Sequence, residues 1–303
     1  MNDATPLLPV EEARAQVLEL ASPLSAEWVP LEDALGRTLA EDVTARRTLP
    51  PWDNSAMDGY AVRSADLSGA AAPVRLAVLE TLYAGTSPRQ EVRPGTCARI
   101  MTGAPLPPGA DAVVMRERTR PVPDGGVDQV EILEPVGPGT FVRPRGEDAK
   151  EGQVLLPRGT PLGIPELGLL WAQGQLSAPV PRAPRVAILS TGDELCRADE
   201  APQGRIVDTN APSLALAVRR AGGQPTLLGI ARDTRDSVQA ALSRVEGFDV
   251  VLTSAGVSVG ERDYVKEVLA TLGVEQHFWR VAIKPGKPLV VGRRAGTLFF
   301  GLP

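Results

Sequence analysis

The chain has 303 residues, of which 43% are hydrophobic and 23% charged, and its formal net charge is −5. This length predicts two or three domains with a sizeable core, and mild acidity without a Lys/Arg block argues against nucleic-acid binding. No apolar run reaches the roughly 18 residues of a membrane span, and no signal peptide opens the sequence, so no membrane partner is expected.

Histidine and cysteine usage excludes further classes of site. His277 is the only histidine, and Cys97 and Cys196 lack the spacing of a metal site. A zinc site and a histidine-dependent catalytic triad are therefore close to excluded unless His277 alone serves. Two isolated cysteines also favour the reducing cytoplasm as the compartment.

The first 63 residues combine helical patterns with one unpatterned loop. Residues 10–21 predict a helix with Val10, Ala13 and Val17 on one face, and residues 31–42 predict a short helix or turn. Residues 49–63 have no regular periodicity, yet they are rich in polar and aromatic side chains and include Asp58. This loop is either a binding segment or a connector whose Asp and Asn residues form turns.

Strand patterns follow in residues 74–133, including a hairpin predicted across residues 123–126. We interpret residues 46–140 as a β-rich domain inserted into an elongated N-terminal region made of residues 1–45 and 141–178. Thr102 ends one of its strands and is either a turn hydroxyl or a ligand to a molecule docked there. Residues 165–171 predict a short helix that ends before Gly174.

A regular alternation of strands and helices begins at residue 185, after the Pro-rich residues 178–185. Strands are predicted at 186–190, 226–230, 250–252, 278–283 and 289–291, and helices at 213–221, 234–245 and 265–272. The helix at 213–221 is expected to bury Leu214, Ala217, Val218 and Ala221. The pattern predicts an α/β domain over residues 179–303 with a doubly wound, mostly parallel sheet.

Segments rich in charged and hydroxyl side chains follow the strands of this predicted sheet. In such folds, ligands bind beyond the carboxyl ends of the strands. The segments are residues 191–194, Asp233, residues 254–263, and Lys284 with Lys287. Small residues after Ser254 form an anion-binding loop, but Asp263 beside it would repel a phosphate unless a divalent cation lies between them. The alternative is a tight strand–helix connection in which Asp263 is an ordinary helix cap.

Six segments resemble the successive signatures of the molybdopterin molybdenumtransferase family, which includes bacterial MoeA and the E domain of gephyrin. They are PPWDNSAMDGYAVR (50–63), RIMTGAPLPPGADAVVM (99–115), VRPRGED (142–148), STGDEL (190–195), SAGVSVGERDY (254–264) and IKPGKP (283–288). The resemblance implies an elongated homodimer in the cytoplasm that inserts molybdenum from molybdate into adenylylated molybdopterin, with Mg²⁺-dependent release of AMP. It also implies molybdopterin adenylyltransferase and recipient molybdoenzymes as partners.

The resemblance further assigns roles to individual residues, with the active site between the β-rich domain of one subunit and the α/β domain of the other. The nucleotide and phosphates would be cradled by Thr191, Gly192, Asp193, Ser254, Gly256 and Ser258. Glu194 and Asp263 would hold Mg²⁺, and Lys284 and Lys287 would attract molybdate. Asp58, as general base or positioner of metal-bound water, and Thr102 would complete the site, and Asp233 is a further acidic candidate that could instead flank a helix cap.

The sequence departs from the family pattern in three places. Ala255 stands where a second glycine is expected, and Arg280 where a lysine is frequent. The family continues into a C-terminal β domain that helps to bind molybdate, whereas the sequence ends at Pro303, so this domain is expected to be absent. Two alternative functions stay open: molybdopterin adenylyltransferase, and a non-catalytic scaffold of the same fold.

Overall fold

The computed structural model describes residues 7–69, 72–122, 128–200, 204–254, 264–284 and 287–303. The chain forms two compact units. The first comprises Met1–Glu27 and Pro181–Pro303, and the second is the continuous segment Trp28–Val180. The domain boundaries predicted from the sequence, at residues 46–140 and 179–303, stay predictions.

The chain up to Pro181 contains three helices and twelve strands in its described part. The helices are α1 (Val10–Leu20), α2 (Ser64–Leu67) and α3 (Ile164–Ala172). The strands are β1 (Ala26–Pro30), β2 (Val43–Thr44), β3 (Asn54–Ser55), β4 (Gly59–Val62), β5 (Val74–Leu82), β6 (Thr96–Ile100), β7 (Ala112–Met115), β8 (Thr119–Val122), β9 (Gln129–Ile132), β10 (Val142–Arg143), β11 (Val154–Leu156) and β12 (Ser177–Pro181). The predicted helices at 10–21 and 165–171 are confirmed, and the short helix or turn predicted in residues 31–42 is present as the 3₁₀ turn Leu31–Asp33.

The second unit is built on a mixed six-stranded sheet in the order β7-β4-β6-β5-β9-β8. The hairpin predicted near residue 125 is present as the antiparallel pair β8 and β9, although its turn lies outside the described residues. The expectation that residues 49–63 lack regular structure is wrong for β4, which pairs with both β6 and β7. All four β4 residues are buried, so both faces are covered and the alternation that would reveal a strand is missing.

The chain from Arg185 onward forms the sheet and three of the helices of the first unit. Its strands are β13 (Arg185–Thr191), β14 (Leu195–Cys196), β15 (Ile206–Val207), β16 (Gln224–Ala231), β17 (Val250–Ser254), β18 (Glu275–Trp279), β19 (Val290–Arg294) and β20 (Thr297–Leu302). Its helices are α4 (Asn210–Arg220), α5 (Arg235–Leu242) and α6 (Tyr264–Thr271). The main sheet has the order β16-β13-β17-β20-β19-β18, in which the first four strands are parallel and β19 runs antiparallel to its neighbours.

Helices cover both faces of this sheet, which confirms the predicted doubly wound α/β class. Ala211 and Ala215 of α4 pack on Val186 and Ile188, whereas α5 and α6 pack on the opposite face. Ala13 of α1 packs against Phe278 of β18, the last strand of the sheet. The sequence-based interpretation instead assigns residues 1–45 to the N-terminal region. No helix in the described ranges is long and apolar enough to cross a membrane.

Three details of this unit differ from the sequence prediction. Helix α4 begins at Asn210 rather than at residue 213, and its buried residues are Ala211 and Ala215 instead of Ala217 and Ala221. The strand predicted at 278–283 ends at Trp279, because Arg280 has a φ of 79° and leaves the extended conformation. Strand β20 has no counterpart in the prediction, although it lies between β17 and β19.

Candidate functional site

One edge of the parallel sheet gathers most of the predicted site residues of the first unit. Strands β13, β16 and β17 end there at Thr191, Ala231 and Ser254, with Thr191 opposite Ala231 and Ser190 opposite Ser254. Parallel strands end on a common edge, so the turns that follow them are neighbours. The structure therefore brings Thr191, Gly192, Asp193, Glu194, Asp233 and Ser254 to one edge, as the sequence predicts.

The turn after β13 depends on Gly192. Its φ of 152° is rarely adopted by other residues, and its N–H donates to the carbonyl of Ala231 at 3.1 Å. A Cβ on Gly192 would lie 2.7 Å from Oε1 of Glu194. Glycine is thus the residue that allows the Glu194 carboxylate to fold back over the turn.

Asp193 and Asp233 face each other across the ends of β13 and β16. The N–H of Asp193 donates to Oδ2 of Asp233, and the N–H of Asp233 donates to Oδ1 of Asp193, both at 3.4 Å. Thr234 is the N-cap of α5, and its side chain accepts a hydrogen bond from the N–H of Ser237, so Asp233 flanks the cap rather than forming it. Two carboxylates on adjacent turns repel each other, which favours a cation between them.

The N-terminus of α4 adds two residues to this edge that the sequence reasoning missed. Oδ1 of Asp208 accepts hydrogen bonds from the N–H groups of Asn210 and Ala211, at 3.0 and 3.2 Å. Nδ2 of Asn210 donates to Oγ of Ser254 at 2.9 Å. The available signal was the triplet Asp-Thr-Asn directly before an apolar helical pattern, which is typical of a helix start.

Two hydroxyl groups near this edge are buried without a hydrogen-bond partner in the described part of the chain. They belong to Ser190 of β13 and Thr253 of β17, both almost completely inaccessible to solvent. Because paired residues of adjacent strands project to the same face, Ser190 and Ser254 lie side by side on the face covered by α4.

The lysines of the IKPGKP segment follow a strand that ends at the same edge, three strands away from β17. Lys284 and Lys287 follow β18, which is separated from β17 by β20 and β19. With strands about 4.8 Å apart, the end of β18, which precedes the lysines, is roughly 14 Å from the end of β17. They follow the next predicted strand in the chain, yet they are not next to β17 in the sheet.

Arg280 lies at the end of β18 and stacks on Trp279, with its guanidinium carbon 4.3 Å from the ring centroid. Lys266 contacts the same ring at 3.8 Å. Arg280 also has a positive φ, which is uncommon for a residue other than glycine. Such conformations occur disproportionately at functional sites. The sequence marked Arg280 only as a departure, and its backbone conformation could not be read from residue types.

A cleft of about 510 Å³ adjoins the turn after β13. It is lined by Gly192 and Asp193 and by the basic side chains of Arg197, Arg205 and Arg232. Its volume is in the range of small-molecule sites, and guanidinium groups are well suited to phosphate. Arg197 is paired with Asp199 at 3.0 Å and Arg205 with Glu200 at 3.4 Å, so Arg232 is the arginine of this lining that has no ion pair with a described residue and can meet a phosphate.

In the second unit, Thr102 binds the carboxylate of Asp58. Both the backbone N–H and the hydroxyl of Thr102 donate to Oδ1 of Asp58 at 2.7 Å. The N–H bond, then the hydroxyl bond, and then the charges of Arg116 and Arg99 lower the pKa of Asp58. Asp58 is therefore a stable carboxylate and a weak base, and its Oδ2 has no hydrogen bond to a described residue.

Three of the signature segments meet around this pair. The N–H of Ser55 donates to the carbonyl of Ala104 at 3.0 Å, and the N–H of Gly103 donates to the carbonyl of Ser55 at 2.8 Å. Oδ1 of Asp53 accepts the N–H of Arg145 at 2.7 Å. The segments at 50–63, 99–115 and 142–148 are thus held together by backbone hydrogen bonds.

Three predicted site residues, Gly256, Ser258 and Asp263, lie outside the described residues. Within the described ranges, no group of three or more acidic, histidine or cysteine side chains is arranged to hold a metal ion. The structure therefore brings together Asp58 with Thr102 in the second unit and residues 191–194, Asp233 and Ser254 in the first, and leaves the predicted metal pair, Glu194 with Asp263, untested.

The chain matches two family models that together cover most of its length. Residues 8–174 match the MoeA N-terminal region (domain I and II), and residues 187–303 match a probable molybdopterin binding domain.

Curated relatives and a solved structure agree with these matches. The molybdopterin molybdenumtransferase of Nostoc sp. is 42% identical over 95% of this chain and 66% of its own length, and that of Bacillus subtilis is 38% identical over 100% and 71%. The crystal structure of the molybdopterin biosynthesis MoeA protein from Pyrococcus horikoshii is 36% identical with a TM-score of 0.83, covering 98% of this chain and 75% of that one. The chain thus spans about two thirds to three quarters of the length of these proteins.

The predicted fold and the predicted class of enzyme are confirmed at the level of the family. Both family models apply in the expected order, and the relatives are transferases of molybdenum cofactor biosynthesis. The chain belongs to the molybdopterin molybdenumtransferase family.

Proposed function

We propose that this chain binds adenylylated molybdopterin and, with Mg²⁺, inserts molybdenum from molybdate while AMP is released. The observation that carries the proposal is the gathering of residues 191–194, Asp233 and Ser254 at one sheet edge in a member of this family. The neighbouring cleft, where Arg232 has no ion pair with a described residue, supports a substrate that carries phosphate.

The nucleotide and phosphates are proposed to lie on the ends of β13 and β17. The proposed binding residues are Thr191, Gly192, Asp193, Ser254, Gly256 and Ser258. Support for the first four comes from their shared edge and from the open turn at Gly192. The roles of Gly256 and Ser258 rest on the family resemblance alone.

Glu194 and Asp263 are the proposed Mg²⁺ ligands. The donor chemistry of the pair suits that ion, because Mg²⁺ prefers carboxylate oxygens, and the described carboxylates at this edge do not by themselves form a group of three around one point. Mg²⁺ also keeps several waters and binds substrate phosphates, so a dense protein cage is not required. The bound ion would neutralise phosphate charge, while Asp193 and Asp233 orient the turns on either side.

Lys284 and Lys287 are proposed to attract molybdate. Both are exposed at the carboxyl end of β18, and ammonium groups are suited to a compact oxyanion. We assign the oxyanion end of the site to the loop that follows β18 and the nucleotide end to the neighbourhood of Ser254.

Asp58 and Thr102 are proposed as catalytic residues of the second unit. The two hydrogen bonds from Thr102 keep Asp58 ionised, which makes it a poor general base at neutral pH. We therefore assign Asp58 the positioning of water through its Oδ2, and Thr102 the orientation of that carboxylate.

A homodimer is proposed from the exposed face of α3. Ile164, Gly168 and Trp171 are exposed on one side of this helix, while Leu167 and Leu170 are buried on the other. A helix that is apolar on both sides is normally buried completely, and an exposed apolar patch of this kind marks a protein interface. A second copy of the chain is the proposed partner.

The proposed location is the cytoplasm, where molybdopterin adenylyltransferase would supply the substrate and molybdoenzymes would receive the product. Both cysteines are free and buried, which suits a reducing compartment. Burial also raises the pKa of Cys97 to about 12, so its thiol stays protonated.

The test supplies the purified chain with adenylylated molybdopterin, Mg²⁺ and molybdate and follows AMP release. Asp233→Asn is expected to slow release at least tenfold, whereas Asp236→Asn, at an exposed position of the same helix start, should not. If the chain binds AMP but forms no AMP from adenylylated molybdopterin, the transferase reaction is contradicted. Formation of pyrophosphate from ATP and molybdopterin would instead support the adenylyltransferase alternative.

A further inference from the structure

The hydrogen bond between Asn210 and Ser254 determines how the Ser254 hydroxyl can act. Nδ2 of Asn210 donates to Oγ of Ser254 at 2.9 Å, so this oxygen is the acceptor. A hydroxyl has one proton to donate, and in the described part of the chain the Ser254 proton has no acceptor. Ser254 is therefore prepared to donate a hydrogen bond to a ligand oxygen.

Asn210 is well placed to hold this orientation because α4 fixes its position. Its backbone N–H is bound to Oδ1 of Asp208 at 3.0 Å, in the first turn of the helix. The next residue, Ala211, is buried against Val186 and Ile188 of the sheet. The amide thus reaches Ser254 from an anchored backbone.

Ser254 itself lies where a ligand would meet the sheet. It is the last residue of β17 and is almost fully buried, next to the buried and unpartnered hydroxyl of Ser190. A buried hydroxyl that lacks an acceptor for its proton loses free energy unless a ligand or water supplies one.

We propose that Asn210 is a positioning residue of this site: it directs the Ser254 hydroxyl to donate to a phosphoryl oxygen of the adenylyl group. The inference rests on the proposed binding of that group at the end of β17. A hydrogen bond to a charged acceptor is stronger than one between neutral groups, so the correct direction of the Ser254 proton contributes measurably to binding.

The test measures the dissociation constants of AMP and adenosine by calorimetry for four variants and the wild type. The variants are Asn210→Ala, Asn210→Asp, Ser254→Ala, and the double variant of Asn210→Ala with Ser254→Ala. Thr209→Ala is the control, because Thr209 is exposed at the same helix start and its side chain makes no capping hydrogen bond. Thermal unfolding of each variant identifies any loss of folding.

Ser254→Ala is expected to weaken AMP binding about tenfold, the scale of one hydrogen bond to a charged group, and to leave adenosine binding unchanged. Asn210→Ala should weaken AMP binding several-fold and have no further effect in the Ser254→Ala background. Asn210→Asp should bind AMP more weakly than Asn210→Ala, because a carboxylate accepts the Ser254 proton and removes it from the ligand.

Two outcomes would overturn the proposal separately from the function. If Ser254→Ala weakens AMP binding and Asn210→Ala does not, Asn210 has no positioning role. If Asn210→Ala weakens it equally with and without Ser254, the amide does not act through the hydroxyl. Failure of the wild-type chain to bind AMP would overturn the proposed nucleotide site together with this inference.

Discussion

Asp249 holds together the beginnings of β13 and β17, and its replacement by Asn should destabilise the first unit. Its carboxylate accepts hydrogen bonds from Nη1 and Nη2 of Arg182, at 2.7 and 2.6 Å, and from the N–H of Arg185 at 2.7 Å. The side chain of Asp249 is only 15% exposed, and that of Arg182 is 31% exposed. Asn keeps the shape and one acceptor oxygen but loses the charge and the two-pronged pairing with arginine.

The expected loss of unfolding free energy is about 2 kcal/mol. Hydrogen bonds to charged groups contribute roughly 1.5–3 kcal/mol each, and two are weakened in the variant. The lower part of that range applies, because the partly exposed Arg182 can be solvated by water once its partner is neutral. In the variant, the backbone N–H of Arg185 can still donate to the amide oxygen of the new Asn side chain.

The dependence of this loss on pH follows from the hydrogen bond of Arg182, which is the main cause of the lowered pKa of Asp249. A carboxyl whose pKa is lower in the folded state stabilises fully above its unfolded value, about 3.9. The contribution disappears as the pH falls through the lower, folded value. The difference between wild type and Asp249→Asn should therefore be constant near neutral pH and shrink below about pH 4.

Hydrogen exchange of the β13 and β17 amides, read by mass spectrometry, measures this loss in the first unit alone. A change of about 2 kcal/mol corresponds to exchange about 30-fold faster. Glu246→Gln, an exposed carboxylate three residues earlier, is the matched control and should not alter exchange. A change below about 0.5 kcal/mol at neutral pH, the range of an ordinary surface substitution, would refute the reasoning.

Three further outcomes test the site and the assembly. Trp171→Glu is expected to yield a monomer in sedimentation velocity, and an unchanged dimer would exclude α3 from the interface. Thr102→Val removes one hydrogen bond from Asp58, which raises its pKa towards the ordinary value and should move the acidic limb of the pH–rate profile to higher pH. An unmoved limb would mean that this carboxylate is not needed in its ionised form. Gly192→Ala brings a Cβ within 2.7 Å of Glu194 and should reduce AMP release at least tenfold, and full activity would show that the turn tolerates a side chain.

The α/β unit could be predicted from the sequence where apolar patterns were unambiguous. Val238 and Leu242 of α5 and Val265 and Val268 of α6 are buried as expected, because each helix has only one apolar face. Helix α4 is apolar on more than one side and begins three residues before the predicted start, so the apolar pattern indicates the face with Ala217 and leaves out Ala211.

The site could be predicted where its residues follow neighbouring parallel strands, because such strands end on a common edge. Thr191, Asp233 and Ser254 follow parallel neighbours and meet. Lys284 follows β18, whose end is not next to theirs, because β20 enters the sheet between β17 and β19, a pairing that depends on residues far apart in sequence. The contact of Asn210 with Ser254 was missed for the same reason, since it joins residues 44 positions apart.

The path of the chain through the two units has a consequence for how such proteins can be recombined. The segment Trp28–Val180 leaves the first unit along β1 and returns along β12, and these two strands are hydrogen-bonded neighbours. The two ends of the intervening unit are therefore already close together, so joining them or exchanging the whole segment requires no new linker and little loop-closure entropy. The second unit is accordingly expected to be exchangeable between relatives as a single piece, provided that the exchanged segment keeps β1 and β12 whole.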